Sequence, residues 1–222
     1  MILPKVRPAT EGLSLLNNNK PLIISVMKRL TLLFAVSILV MPLFPQFQAR
    51  MLFNSMGMER SFNIFSANAG YRYEFNENGQ EGVVIVKKGS EEVIILLPGQ
   101  KMAMRGPADN PMSIGNDPVG SYEFLKKTGS LKELGKETIN GVECLKSELW
   151  NKNENEYGKA GQKMYTVWIS EKYNFPVKMI NHIDGSGNTV MEIKDIKPWT
   201  PRAESFEIPE GYNVMEMPKM NP

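Results

Sequence analysis

The side chains best suited to covalent or metal chemistry are scarce, because the 222-residue chain holds one cysteine, Cys144, and one histidine, His182. A single thiol forms no intramolecular disulfide, and one thiol with one imidazole is too few for a Cys/His zinc cluster. The two are also too far apart in sequence for a local Cys/His dyad. His182, between Asn181 and Ile183, reads as a hydrogen-bonded structural histidine, and Cys144, in an apolar stretch, as a small buried hydrophobe. The carboxylate pairs Glu91/Glu92 and Glu154/Glu156 fall in turn contexts and read as solvated tips rather than as a general acid and base. No catalytic residue, metal ligand or cofactor is expected, and the chain does not read as an enzyme.

Methionine is the unusual component. Of 15 in the chain, 12 follow residue 49, and several recur two apart: Met56 and Met58, Met102 and Met104, Met215 and Met217. In a strand that spacing puts both side chains on one face. Three readings stand: core filling by an unbranched, adaptable side chain, a deformable lining for acyl chains, or thioether ligation of Cu(I). Trp150, Trp168 and Trp199 each end or interrupt a strand, which suits core or rim packing; a sugar-stacking platform lacks the convergent polar groups it needs. Arg72, between Tyr71 and Tyr73, is either an outward strand residue or a buried donor for a ligand carbonyl or carboxylate.

The elements that would position these residues are mostly strands. Phe62–Ser66 is followed by Tyr71-Arg72-Tyr73-Glu74-Phe75, whose alternation sets three rings on one face and two charges on the other. After the Asn78-Gly79 turn, Val83–Val86 and Val93–Leu97 are continuous β-branched and apolar runs, so both of their faces need cover, and a helix is expected on the second. Asp117-Pro118 is an N-cap followed by proline at the first helical position; Tyr122, Phe124, Leu125, Leu131 and Leu134 supply apolar positions, with Gly129 dividing the stretch. From Thr138 the pattern returns to four meander strands, Val142–Leu149, Met164–Ile169, Val177–Ile183 and Val190–Ile196, with turns that include Asp184–Asn188. The tail, with Phe206–Tyr212, is expected to lie across the sheet as an extended edge. The implied fold is mainly β, a strongly curved antiparallel sheet of about eight strands forming an incomplete barrel around an apolar hollow, with a helical element on its concave face.

The N-terminus has the outline of a targeting segment. Met27-Lys28-Arg29 is a basic start, residues 30–44 are an apolar run, and the chain turns polar towards Ala49, giving a signal peptide over 27–49 and a domain over 50–222. The run is short for a span of about 20 residues, and Pro42 would end its helix, but a tether formed by an uncleaved 30–44 is the alternative. Residues 1–26 read as upstream-start material or a disordered tail. Taking away residues 1–49 removes five basic residues (Lys5, Arg7, Lys20, Lys28, Arg29) and Glu11, turning the net charge of +2 into −2. Nothing in that balance suits nucleic acid.

Taken in order, YRYEFNENGQEGVVIVKKGSEEVIILLPGQKMAM, GKETINGVEC, VWISEKYNFPVKMI and FEIPEGY resemble the periplasmic lipoprotein-carrier superfamily (LolA-like and LolB-like proteins), especially a domain-of-unknown-function branch, over about Phe62 to Met217. The resemblance implies an incomplete β-barrel closed by helices, with a cavity for acyl chains. In the carriers an arginine on an early strand helps to hold and release lipid, and Arg72 is the position here that corresponds. The expected ligand-lining residues are Arg72, Tyr73, Met102, Met104 and Trp168. The expected protein is an exported, periplasmic, non-enzymatic monomer that binds a lipid, acyl chain or lipoprotein. The alternatives are an envelope sensor with a protein partner, or a structural β-domain with a filled core.

Overall fold

The computed structural model describes residues 44–217 apart from 78, 90–91, 109–116, 156 and 184–188, with backbone alone at 77. The basic start at Met27, nearly all of the apolar run, Asn78, Glu91, Glu156 and the Asp184–Asn188 turn lie outside the described residues. Within them, period-two patterning builds twelve strands: β1 Phe47–Ser55, β2 Met58–Ala67, β3 Gly70–Glu77, β4 Gln80–Lys87, β5 Glu92–Leu97, β6 Met102–Pro107, β7 Gly129–Ile139, β8 Val142–Asn151, β9 Lys163–Ser170, β10 Phe175–Asn181, β11 Thr189–Pro198 and β12 Asn213–Glu216. They form one open sheet in the order β12-β6-β5-β4-β3-β2-β1-β11-β10-β9-β8-β7. Its pairs are antiparallel except for β12, which lies parallel to β6. Strand β1 holds the two halves together, pairing with β2 on one side and β11 on the other.

One helix, α1 (Pro118–Lys126), packs on the sheet. Asp117 caps it as the sequence predicts: its carboxylate accepts from the Val119 N–H at 3.1 Å, and Pro118 occupies the first turn. The helix stops at Lys126, however, and Gly129 begins β7, so Leu131 and Leu134 belong to a strand and are exposed. Together with β1, whose first residues fall within the targeting outline, and with β6 and β12, β7 brings the strands to twelve rather than about eight.

The sheet curls around α1. The rings of Tyr71 (β3) and Phe175 (β10) are 5.5 Å apart between centroids. Those strands are separated by β2, β1 and β11, a span of roughly 19 Å if the sheet were flat. Asp117 and Ser121, only ~6 Å apart along the helix axis, likewise bond to Tyr71 on β3 and Tyr165 on β9. Both contacts require a concave face, and the main core lies there.

The doubly apolar β4 and β5 are covered on both sides. Val84, Val86 and Val93 face the main core, whereas Val83, Ile85, Ile94 and Leu96 face outward. The outer cover is the C-terminal segment, not a second helix: Phe206, Trp199, Ile208 and Tyr212 pack there, around a short 3-10 turn at Ala203–Phe206. The chain then joins the sheet edge as β12, and Met217 returns to the main core.

Candidate functional site

The concave face is incompletely filled. A cavity of about 570 Å³ remains between α1 and the strands β1 to β5 and β9 to β11, within the ~300–1,000 Å³ of ligand pockets. Period-two alternation supplies its walls. Tyr73 and Phe75 come from β3, Phe62 from β2, Met51 and Phe53 from β1, and Met179 and Met191 from β10 and β11. The Phe75 ring lies directly on Gly82 of β4, where an added Cβ would come within 2.1 Å of it. A residue without a side chain is needed there for the ring to reach the wall.

One wall is fixed by polar contacts from the helix. Tyr71 Oη donates to the buried Asp117 carboxylate, and Ser121 Oγ and Tyr165 Oη share a hydrogen bond of 2.9 Å. Burial, more than any partner, pushes the Asp117 carboxyl above its ordinary pKa, against the hydrogen bonds from Tyr71, Gly120 and Val119 that favour the anion. Burial also pushes the Tyr71 and Tyr73 hydroxyls well up, with the Asp117 charge adding to it. These tyrosines stay neutral at any physiological pH.

Besides Tyr73, Ser121 and Tyr165 on the side of the helix, four polar lining residues, Ser55, Arg60, Asn181 and Thr189, lie at the end nearest the β1–β2 turn. Ser55 Oγ and Thr189 Oγ1 are 3.0 Å apart. Thr189 is the ladder partner of Asn181, and Arg60 is the partner of Phe53, diagonal to Ser55.

The residues expected to line a ligand site separate. Tyr73 lines the cavity. Met104 lies beside the main core, and Met102, two residues away on β6, shares its strand face. Arg72 and Trp168 are on the opposite face. Arg72 donates to the Ser205 carbonyl (2.9 Å) and to Glu74 (2.6 Å), so alternation turns it away from the rings of Tyr71 and Tyr73. Trp168 packs with Ile139, Cys144 and Val177, donates from Nε1 to Glu137, and lies under Lys146 and Lys178. The methionine pairs divide too: Met56 and Met58 flank an exposed turn, and of the last pair Met217 is buried and Met215 exposed. Met51, Met179 and Met191 line the cavity instead. Single residues in alternating strands gave no spacing signal for them.

Cys144 lies in β8, where burial pushes its thiol up to about 11, which keeps it protonated and unreactive. His182 Nε2 is 2.9 Å from Thr166 Oγ1. Among the described residues no three His, Cys, Asp or Glu side chains converge as a metal site, and no helix is long and apolar enough to cross a membrane.

Residues 155–212 match the model of a domain of unknown function, DUF4412. No curated protein matches the chain. Among solved structures, the chain is similar to an uncharacterized conserved protein from Thermus thermophilus, at 11% identity and TM-score 0.51, covering 86% of this chain and 99% of that one. It also matches a putative outer membrane lipoprotein-sorting protein domain from Vibrio parahaemolyticus (16% identity, 73% and 89% covered, TM-score 0.40). A LolA superfamily protein from Nitrosomonas europaea matches at 12% identity, 80% and 96% covered, and TM-score 0.37. The likeness to the Thermus thermophilus protein is one of fold: among the described residues, an open, curled twelve-stranded sheet with one helix on its concave face, a mainly β half-barrel.

Proposed function

We propose that this is an exported, non-enzymatic binding protein whose half-barrel shelters the apolar chain of a lipid or acylated molecule. The observation that carries the reading is the cavity of about 570 Å³ walled by Met51, Phe53, Phe62, Phe75, Met179 and Met191. Apolar walls left facing solvent in a pocket of that size forgo the burial that an apolar ligand supplies, roughly 25 cal/mol per Å² of apolar surface covered. Flexible methionines let the walls adapt to chains of different shape. Export accords with the basic and apolar N-terminal outline at residues 27–44.

Mass spectrometry of protein purified without detergent, together with titration of a fluorescent fatty acid, tests the reading. A co-purifying lipid, or saturable dye binding weakened at least tenfold by Ile95→Trp, which pushes an indole into the cavity, is the expected result. No co-purifying lipid and no dye binding would leave a domain whose hollow serves no apolar ligand.

A further inference from the structure

We infer that two copies of this chain associate edge to edge through β7, in the one antiparallel register that sets the bulge at Leu134-Gly135 of each copy against that of the other. The inference concerns the end of the sheet and is independent of the ligand proposed for the cavity.

Strand β7 is an open edge. It stands at one end of the sheet and is paired, among the described residues, with β8 alone. Its 11 residues are roughly twice the usual strand length, and every residue from Ser130 to Thr138 is exposed. A long row of N–H and C=O groups without a strand partner is a template for further pairing, and proteins commonly blunt such an edge with proline or a very short strand. The opposite edge is blunted in this way, since β12 has four residues. Strand β7 contains no proline and instead exposes Leu131 and Leu134, by 45% and 43%.

The bulge selects the occupant. Leu134 is the extra residue between Glu133, opposite Ser147, and Gly135, opposite Lys146. It shifts the alternation by one residue, so that Leu131 and Glu133 before it share the concave face with Lys136 and Thr138 after it, while Lys132 shares the outer face with Glu137. A regular strand laid along this edge matches faces on one side of the bulge and opposes them on the other. A second β7, related by a two-fold axis at the bulge, matches throughout. Leu131 then lies opposite Thr138, Lys132 opposite Glu137, Glu133 opposite Lys136 and Leu134 opposite Gly135, each pair formed twice. Gly135, at φ +102°, has nothing within 4 Å of where a Cβ would project, which leaves room for Leu134 of the other copy.

The same register is complementary in charge. No ion pair ties Lys132 or Glu133 to another described residue, and the two-fold register sets them opposite Glu137 and Lys136 of the other copy. Glu137 already accepts from Lys146 and from Trp168 Nε1, and Lys136 bonds to Glu143 and Glu171. The two side chains are nevertheless 46% and 52% exposed, so these are solvent-screened networks open to a further member. Charges of this kind fix register more than they add affinity. Sliding either copy by two residues loses every opposite-charge pair and breaks the match of faces at the bulge. A single pair of edge strands falls short of the ~1,600 Å² of a standard interface, so the association is weak and depends on concentration.

Sedimentation velocity of the purified protein, from ~1 µM to several hundred, tests the inference. The mass is expected to rise from monomer to dimer across that range. Lys132→Glu or Glu137→Lys alone sets like charges opposite each other in both halves of the pairing, and each is expected to weaken dimerisation about tenfold. Mixing the two variants is expected to restore it, because the reversed charge of each then meets its opposite, and native mass spectrometry identifies the mixed dimer. Rescue by mixing also shows that both variants are folded. The pair Glu133→Lys and Lys136→Glu repeats the test on the concave face without touching Glu137. A wild type that stays monomeric throughout, single variants that dimerise as the wild type does, or a mixture no more dimeric than its components overturns the inference. So does a mass that grows beyond a dimer, which would mean that β7 joins a different edge of the next copy.

Discussion

The Arg72 guanidinium reaches over the outer face of the sheet to the Ser205 carbonyl and the Glu74 carboxylate, and it lies 5.8 Å from the centre of the Phe65 ring. Its work is to hold the C-terminal segment down. Arg72→Leu is therefore expected to lower stability by about 1.5–3 kcal/mol, the scale of hydrogen bonds to a charged group. Dye binding should be unchanged, as urea unfolding and titration of the same samples would reveal; a stable variant with lost binding would return Arg72 to the ligand. Tyr122 offers the opposite case. It is fully buried on α1, and among the described residues its hydroxyl has no hydrogen-bond partner. Removing an unsatisfied hydroxyl relieves its desolvation cost, so Tyr122→Phe should raise the urea midpoint by the equivalent of ~1 kcal/mol, and a drop would reveal a partner. The alternation around Arg72 was legible in the sequence and left two faces to choose from. What decided between them was a carbonyl 133 residues away, a relation that no local pattern carries.

At the scale of elements, α1 is legible from Asp117-Pro118, but its docking is not, because the partner hydroxyl of Tyr71 is 46 residues distant. The buried Asp117 gives this docking a pH dependence. Its folded carboxyl titrates above the ordinary value because burial disfavours the anion. A raised folded pKa means that the folded state holds the proton more tightly, so this group's contribution is complete below the unfolded pKa and is lost as pH rises through the folded one. Asp117→Asn keeps a capping oxygen and removes the titration. The stability of wild type relative to the variant should therefore improve between pH 7 and about pH 4, by urea unfolding at each; a constant difference would mean that Asp117 does not titrate there. Strand β7 was hidden because Leu131 and Leu134 face solvent and the bulge between Glu133 and Gly135 breaks the alternation of an edge strand that pairs with β8 alone. Strand β1 carries a clean alternation of Phe47, Ala49 and Met51, all buried, which the apolar run before it obscured. Its placement bears on processing. Ala49 lies inside a strand paired on both sides, and the Phe47 ring packs on Tyr173 and Phe175. A chain starting at Arg50 should lose about 3–5 kcal/mol, as for removal of a buried aromatic. Under the proposed export, N-terminal sequencing of the mature protein should return a residue at or before Phe47.

For the whole molecule, the decisive constraint is a sheet with apolar residues on both faces. The runs Val83–Val86 and Val93–Leu97 announced it, and among the described residues the one α-helix, nine residues long, covers only the concave side. The C-terminal segment completes the molecule in three steps: Trp199 and Phe206 cap the outer face of β4 and β5, β12 pairs with β6 at the edge, and Met217 rounds that edge to meet Gly106 on the inner side. A segment rich in proline and polar residues gave little sign of this, since its anchors are isolated rings whose value lies in the surface they cover. Ending the chain after Pro198 would uncover Val83, Ile85, Ile94 and Leu96 as one contiguous patch and leave β6 as a bare edge. Exposed apolar strands with an unpaired edge are templates for association. The truncated chain is expected to bind the dye ANS strongly, to elute as aggregates in gel filtration and to unfold without a sharp transition. A monomer with the wild-type urea midpoint would show that the inner core suffices alone, and would reduce the outer cover to a solubility device.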